Sequence, residues 1–138
     1  MKVFQHTLAI ATKGRALYDV TSDVAKAVGK AGVSTGLCVL FVRHTSASLV
    51  VQENADSAVL RDMNRWMDRI APQDSTYEHD AEGPDDMPSH LRASVTRTSE
   101  SIPIVEGKLA LGIWQAVYLW EHRTAGHRRE IAIHVCGV

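Results

Sequence analysis

Leu37-Cys-Val-Leu-Phe-Val-Arg-His44 is apolar for its first six residues and ends on a cation and an imidazole. Val39, Phe41 and Val42 favour extended backbone, and an uninterrupted apolar run predicts a strand buried on both faces. It is also the longest apolar run in the chain, far short of the ~20 residues a membrane-spanning helix needs. On its N-terminal side, Phe4, Leu8 and Ile10 share one parity, so residues 3–11 read as a strand. Thr21 or Ser22 is placed to cap a short helix carrying Val24, Ala25, Val28 and Ala31, with Gly32 to end it. On its C-terminal side, a strand is expected over Ser48–Val51. Asp56 then caps the clearest helix, in which Val59, Met63, Trp66, Met67 and Ile70 recur on one face. Residues 71–86 hold Pro72, Gly83 and Pro84 and read as a long loop. Pro88 suits the first turn of a short helix through Val95, with Asp86 or Met87 near its cap. Three more strands are expected near 101–105, 109–120 and 130–136, with Glu106-Gly107-Lys108 as a turn. Six or seven strands that do not alternate regularly with two or three helices imply an α+β fold. Its sheet is expected to be mixed and mostly antiparallel, not doubly wound and parallel.

The chain has 138 residues, a formal net charge of −1, 45% hydrophobic and 22% charged residues. These are ordinary globular values, and a domain of this size buries roughly 68–70% of its unfolded surface. No repeat, linker or low-complexity tract divides it, so residues 1–138 are expected to form one domain. The near-neutral balance argues against a nucleic-acid partner, which calls for a positive footprint. Met1-Lys-Val-Phe-Gln-His6 lacks the apolar core of a signal peptide. Cys38 and Cys136 both sit in apolar stretches and read as buried free thiols, which leaves a cytoplasmic setting with no membrane partner as the expectation.

Between Ile70 and Leu91 there is no Lys or Arg, whereas Asp74, Glu78, Asp80, Glu82, Asp85 and Asp86 all fall there. Such a stretch is either a solvated acidic loop or a cation site. His79 and His90 lie in or beside it, and His44 ends the apolar strand, where side chains meet a cleft built from loops. Three neutral imidazoles leave the fourth position of a tetrahedral zinc site open. The spacing alone leaves this beside the plainer reading of a core His44 and exposed loop histidines. Thr45, Ser46 and Ser48 offer hydroxyls at a strand end, suited to phosphate oxygens or to an ordinary turn. Glu121, His122, Arg123, His127, Arg128 and Arg129, joined through Gly126, read as a basic hairpin tip. That tip is either an anion site or a solvated end, because guanidinium forks match phosphate geometry. Trp114 and Trp120 share parity and are expected to pack. There is no GxxxxGK[ST] loop and no GxSxG elbow.

Taken in order, His44-Thr-Ser-Ala-Ser48, Glu53-Asn54, Tyr77-Glu-His-Asp80, Gly83-Pro-Asp-Asp-Met-Pro-Ser-His90, Gly112-Ile-Trp-Gln115 and Glu121-His-Arg123 resemble the YjbQ-like family, also called secondary thiamine-phosphate synthases. The resemblance covers the whole chain and is strongest, through Asp85 to His90, to the bacterial branch. It implies a small α+β domain that associates as a homotrimer, with a metal-associated cleft. It implies His44, His79 and His90 as metal ligands, and Glu53, Asp80 and Glu121 as catalytic carboxylates. Asn54, Ser94, Trp114 and Gln115 also match the family's patterns and, with Thr45 and Ser46 of the strand-end hydroxyls and Arg123 and Arg128 of the basic cluster, are the expected substrate contacts. The implied activity joins hydroxymethylpyrimidine diphosphate to thiazole phosphate and releases diphosphate. Three histidines suit zinc, whereas a diphosphate substrate commonly brings magnesium. A metal-assisted hydrolase of a small phosphate ester, with Glu53 as base, is the second expectation. A non-catalytic trimeric ligand-binding module is the third.

Overall fold

The computed structural model describes every residue except Ser75, which falls inside the expected 71–86 loop. In chain order the elements are β1 (Lys2–Ala11), β2 (Ala16–Asp19), α1 (Thr21–Ala31), β3 (Gly36–Val42), β4 (Ala47–Glu53), α2 (Ser57–Ile70), α3 (Asp86–Ser94), β5 (Ser99–Val105), β6 (Lys108–Leu109), β7 (Gln115–Glu121) and β8 (Arg128–Gly137). The strands make two antiparallel sheets, ordered β1-β8-β3-β5-β6 and β2-β7-β4. Period-2 alternation points Leu40 and Val42 of β3, Ile131, Ile133 and Val135 of β8, Leu49 of β4, and Val117 and Leu119 of β7 into one core. Helix α1 adds Val24, Ala27 and Val28 to it. The opposite face of the smaller sheet carries Ser48 and Trp120, and α2 and α3 cover it. There Trp120 Nε1 donates to Asn64 Oδ1 at 3.2 Å and Thr96 Oγ1 donates to Ser48 Oγ at 2.6 Å.

Local signals explain most boundaries. Asp56 Oδ1 accepts from the Ala58 amide at 2.9 Å and starts α2. Gly32 ends α1 in the left-handed region, at φ 64°. The expected cap of α1 is replaced: Val20 precedes the helix without a side-chain cap, and the Thr21 hydroxyl instead accepts from the Val117 amide at 2.9 Å, tying α1 to β7. Glu106 and Gly107 turn the chain between β5 and β6 with φ of 50° and 77°.

Four expectations are corrected. Leu37 and Phe41 of β3 are exposed, so this strand is buried on one face only, because no layer of the same chain covers the other. The run near 109–120 is not one strand: β6 ends at Leu109, and the chain crosses to the other sheet before β7. Trp114 therefore sits in the crossing, 60% exposed, away from buried Trp120. On α2 only Met67 is fully buried, and Trp66 and Ile70 face outward. Finally, β7 and β8 belong to different sheets, so residues 122–127 cross between sheets and are not a hairpin tip. Glu121, His122 and Arg129 are buried there.

Candidate metal centre

Asp86 and His90 are four residues apart on α3, which puts both on one helical face. His90 Nε2 lies 3.1 Å from Asp86 Oδ2. The segment before α3 folds back and brings His79 Nε2 within 2.7 Å of the same oxygen. One donor atom from each of the three residues lies within 4.8 Å of the others, and the two imidazole rings meet edge to face at 5.4 Å. His90 Nδ1 stands 3.1 Å from the Thr45 carbonyl. A carbonyl only accepts, so that nitrogen carries the proton, and Nε2 of a neutral ring points its lone pair at a carboxylate. Such a facing of lone pairs is relieved by a cation, either a second proton or a metal ion. Burial pushes the Asp86 carboxyl up, but the His79 hydrogen bond and the charges of His90 and Arg123 outweigh it and hold the group below the ordinary carboxylate range. The hydrogen bond to Asp86, supported by Glu82, raises the His79 imidazole.

Arg123 braces this group from behind. Its Nη1 lies 2.9 Å from Asp86 Oδ1, its Nε donates to Asp85 Oδ2 at 2.9 Å, and its Nη2 donates to the Glu82 carbonyl at 3.1 Å. The Thr124 amide also donates to Asp85, at 2.9 Å. Burial opposes ionisation of Asp85, yet Arg123 and Thr124 hold it far below the usual range. A hollow of about 260 Å³ opens beside His79, walled by Tyr77, Asp80, Pro84 and Met87. Another, of about 320 Å³, opens on the His90 side and is lined by His44, Thr45, Ala47, Ser94 and Thr98.

The structure brings together only part of the expected site. His79 and His90 converge, and the third donor is Asp86; His44 stands outside the group, with its Nε2 accepting from the Glu130 amide at 2.8 Å. Asp80 borders the hollow beside His79, and Thr45 and Ser94 border the one beside His90. Glu121 has no solvent exposure and its oxygens are taken up by Thr12, Arg129 and the Arg123 amide. Burial raises this carboxyl, but Arg129, Thr12 and the amide outweigh it and lower it. Ser46 is buried, its Oγ accepting from Arg129 Nη2 at 2.9 Å. Arg123 is engaged as a brace, and Arg128 is exposed and paired with Glu130 at 2.9 Å.

Glu53, Asn54, Trp114 and Gln115 gather at the far end of the smaller sheet. Ala47 pairs with Glu121 at the histidine end and Glu53 with Gln115 at the other, about 20 Å of strand apart. Asn54 Nδ2 donates to the Ile113 carbonyl at 3.1 Å, and Gln115 Oε1 accepts from the Gly112 amide at 2.7 Å, so these side chains fix a turn that displays Ile113 and Trp114. Sequence reasoning missed Asp86 as a donor and Arg123 as its brace. The four-residue spacing of Asp86 and His90 was the available signal for the first; the second depends on the sheet crossing.

A profile of the family described as UPF0047 protein YjbQ-like matches residues 6–138. The chain belongs to this family. The UPF0047 protein sll1880 of Synechocystis is 52% identical over 134 residues, covering 96% of this chain and 91% of the relative. The UPF0047 protein YjbQ of Salmonella typhimurium is 43% identical, covering 93% and 94%. Among solved structures, a YbjQ-like protein of Sulfolobus solfataricus superposes with a TM-score of 0.91 at 25% identity, covering 99% of both chains. A YjbQ/UPF0047-family protein of Clostridium acetobutylicum gives 0.88 at 34% identity, covering 95% of this chain and 99% of that one. The two-sheet α+β fold is therefore the family's fold.

Proposed function

We propose that this chain is a divalent-metal-dependent enzyme acting on phosphorylated small molecules, with thiamine-phosphate synthase activity as its reaction or a side reaction. The reading rests on one observation above all. Two imidazole nitrogens converge on one buried carboxylate oxygen, while the second nitrogen of His90 is anchored to a main-chain carbonyl. Anchoring the far nitrogen on a backbone acceptor is how metal-binding histidines are oriented. His79, Asp86 and His90 would hold the ion. Two imidazoles and a carboxylate suit zinc, iron or manganese better than magnesium, which would accompany a diphosphate substrate.

When bound, the ion would neutralise charge that grows on the departing diphosphate. The chain's own residues do the rest. Thr45 fixes the His90 ring, and Arg123 holds the Asp86 carboxylate in register. Tyr77, Pro84 and Met87 offer an apolar wall for a flat ring beside the histidines. The thiazole nitrogen is already nucleophilic, so bond formation needs no general base.

The imidazole-rich donor set also supports a second reading, a hydrolase of a small phosphate ester. Glu82 Oε2, 3.2 Å from His79 Nε2, is then the carboxylate placed to take a proton from water. Glu53 lies too far away for that role. Incubation of the metal-loaded protein with both substrates separates the readings. Thiamine phosphate with stoichiometric diphosphate supports the synthase, and phosphate release without a thiazole acceptor supports the hydrolase. Tight binding with no product leaves a ligand-binding module.

The homotrimer is part of the same proposal. The outward face of the larger sheet aligns Val3, Gln5 and Thr7 of β1 with Ala132, His134 and Cys136 of β8. Leu37, Val39 and Phe41 of β3 and Ser99, Ser101 and Pro103 of β5 continue it. None of these twelve is an Asp, Glu, Lys or Arg, the pattern of an interface centre between copies. A cytoplasmic setting fits the two free cysteines. No helix among the described residues is long and apolar enough to cross a membrane.

A further inference from the structure

We propose that His44 is a hydrogen-bond donor of fixed tautomer in a phosphoryl-oxygen subsite beside His90, and not a metal ligand. The Glu130 main-chain amide donates to His44 Nε2 at 2.8 Å. An amide N–H cannot reverse its role, so Nε2 carries no proton and the proton of the neutral ring sits on Nδ1. Nδ1 has no protein partner among the described residues, and it is not among the buried atoms left without one. It is therefore open to a ligand. The ring lines the 320 Å³ hollow with Thr45, Ala47, His90, Ser94 and Thr98.

The chemistry of that hollow selects the ligand. No Asp, Glu, Lys or Arg lines it. The Thr45 and Thr98 hydroxyls have no protein hydrogen-bond partner among the described residues and are free to donate. Ser94 spends its hydrogen on the His90 carbonyl, 2.8 Å away, and keeps lone pairs. His44 thus joins two hydroxyls as an uncharged donor set on one side of the His79, Asp86 and His90 group. The hollow on the other side has Asp74 and Asp80 in its walls and repels anions. A phosphorylated substrate held at the metal group places its phosphoryl oxygens on the His44 side and its ring on the Tyr77 side. This assignment rests on the metal-centre reading for the position of the ligand, but not for the tautomer of His44.

The test uses the whole protein with inorganic phosphate as probe, in the zinc-loaded form freed of excess ion and in the metal-free form. Three variants divide the roles of the ring. His44→Gln keeps an acceptor for the Glu130 amide, His44→Asn keeps a donor near the Nδ1 position, and His44→Phe keeps neither. The expected result is unchanged zinc per chain in all three. Phosphate affinity should fall about tenfold or more in His44→Phe, as for loss of a hydrogen bond to a charged group, and His44→Asn should recover part of it. In the metal-free protein, ring 15N shifts should report Nδ1–H and bare Nε2 at His44. If His44→Phe does not fold, His44→Gln and the 15N shifts carry the test. Zinc lost from both His44→Gln and His44→Asn, a proton on Nε2, or undiminished phosphate affinity in His44→Phe would each overturn the assignment. Failure of the metal-centre reading shows separately, as unaltered protein that takes up no zinc.

Discussion

Glu121 and Asp86 are both buried carboxylates beside an arginine, and they do opposite things. Glu121 receives Thr12 Oγ1 at 2.6 Å, Arg129 Nε at 2.8 Å, Arg129 Nη2 and the Arg123 amide, and no solvent reaches it. Its lone pairs are filled by donors that all belong to the chain. Asp86 shares one oxygen with Arg123 and turns the other to two imidazole nitrogens at the edge of a hollow. One arginine neutralises Glu121 fully; at Asp86 the balance is completed only by protons or an ion on the histidines. Burial and charge alone do not mark a functional carboxylate. Incomplete satisfaction by fixed donors does.

The largest effect should come from Glu121→Ala. Removing the carboxylate strands the buried Arg129 guanidinium, and breaking such a pair costs about 3–5 kcal/mol. Urea denaturation checks it, and a loss below about 1 kcal/mol would break the contrast. Asp86→Asn should cost less stability, because Arg123 keeps Asp85. It should instead weaken zinc binding at least about 100-fold, measured by competition with a chelator, since a ligand is worth more than the outer partners that tune it. Equal stability losses in the two variants would make both carboxylates structural.

A pH effect sharpens the same contrast on the covered side of the smaller sheet. His122 has no exposure and its Nε2 meets Ser48 Oγ at 2.8 Å; burial, aided by the charge of Arg92, pushes its imidazole down to about 3. Between that value and the unfolded value near 6.5, the unfolded chain binds a proton that the folded chain refuses. The contribution is complete above 6.5 and declines as pH falls, by about 1.4 kcal/mol per pH unit. His122→Gln should flatten the stability profile in that window; an unchanged slope would show that this histidine is not held neutral. Phe41→Asp, in the middle of the outer face of the larger sheet, should reduce the proposed trimer to monomers in light scattering while leaving the chain folded. A trimer that persists in the variant would move the interface elsewhere, and unaltered protein that is already monomeric would overturn the trimer. The smallest effect belongs to Arg128→Ala, an exposed ion pair worth about 0.5 kcal/mol or less in thermal unfolding.

Regular spacing in the sequence carried much of this. The shared parity of Phe4, Leu8 and Ile10 in β1 and the Asp56-capped 3.6-residue recurrence of α2 were readable because each is a local pattern; β3 was legible as a strand, but its unbroken apolar run hid that one face is exposed. Gly32, Asp56 and the Glu106-Gly107 turn were readable from backbone preference. What local pattern does not contain is the choice of sheet. The stretch near 109–120 looks like one strand, yet the chain changes layers inside it, which exposes Trp114 and separates it from Trp120. The same crossing after Glu121 turns an apparent basic tip into a buried ion pair and a brace. At the site, His79 and His90 stood out against an acidic segment lacking Lys and Arg. Asp86 looked like a helix cap because its partners arrive from a loop seven residues away and from Arg123 across the sheets. His44 resembled a third ligand, but its ring nitrogen is claimed by an amide on the neighbouring strand, a fact of register that spacing does not encode.

The central claim is that the incompletely satisfied carboxylate and its two histidines hold a divalent ion. Elemental analysis of untagged protein, purified without added metal and then offered zinc, tests it most directly beside His90→Ala. About one ion per chain, lost in the variant while its fold persists, is the predicted result. Metal-free protein that takes up no ion, or a variant that retains it, would contradict the account.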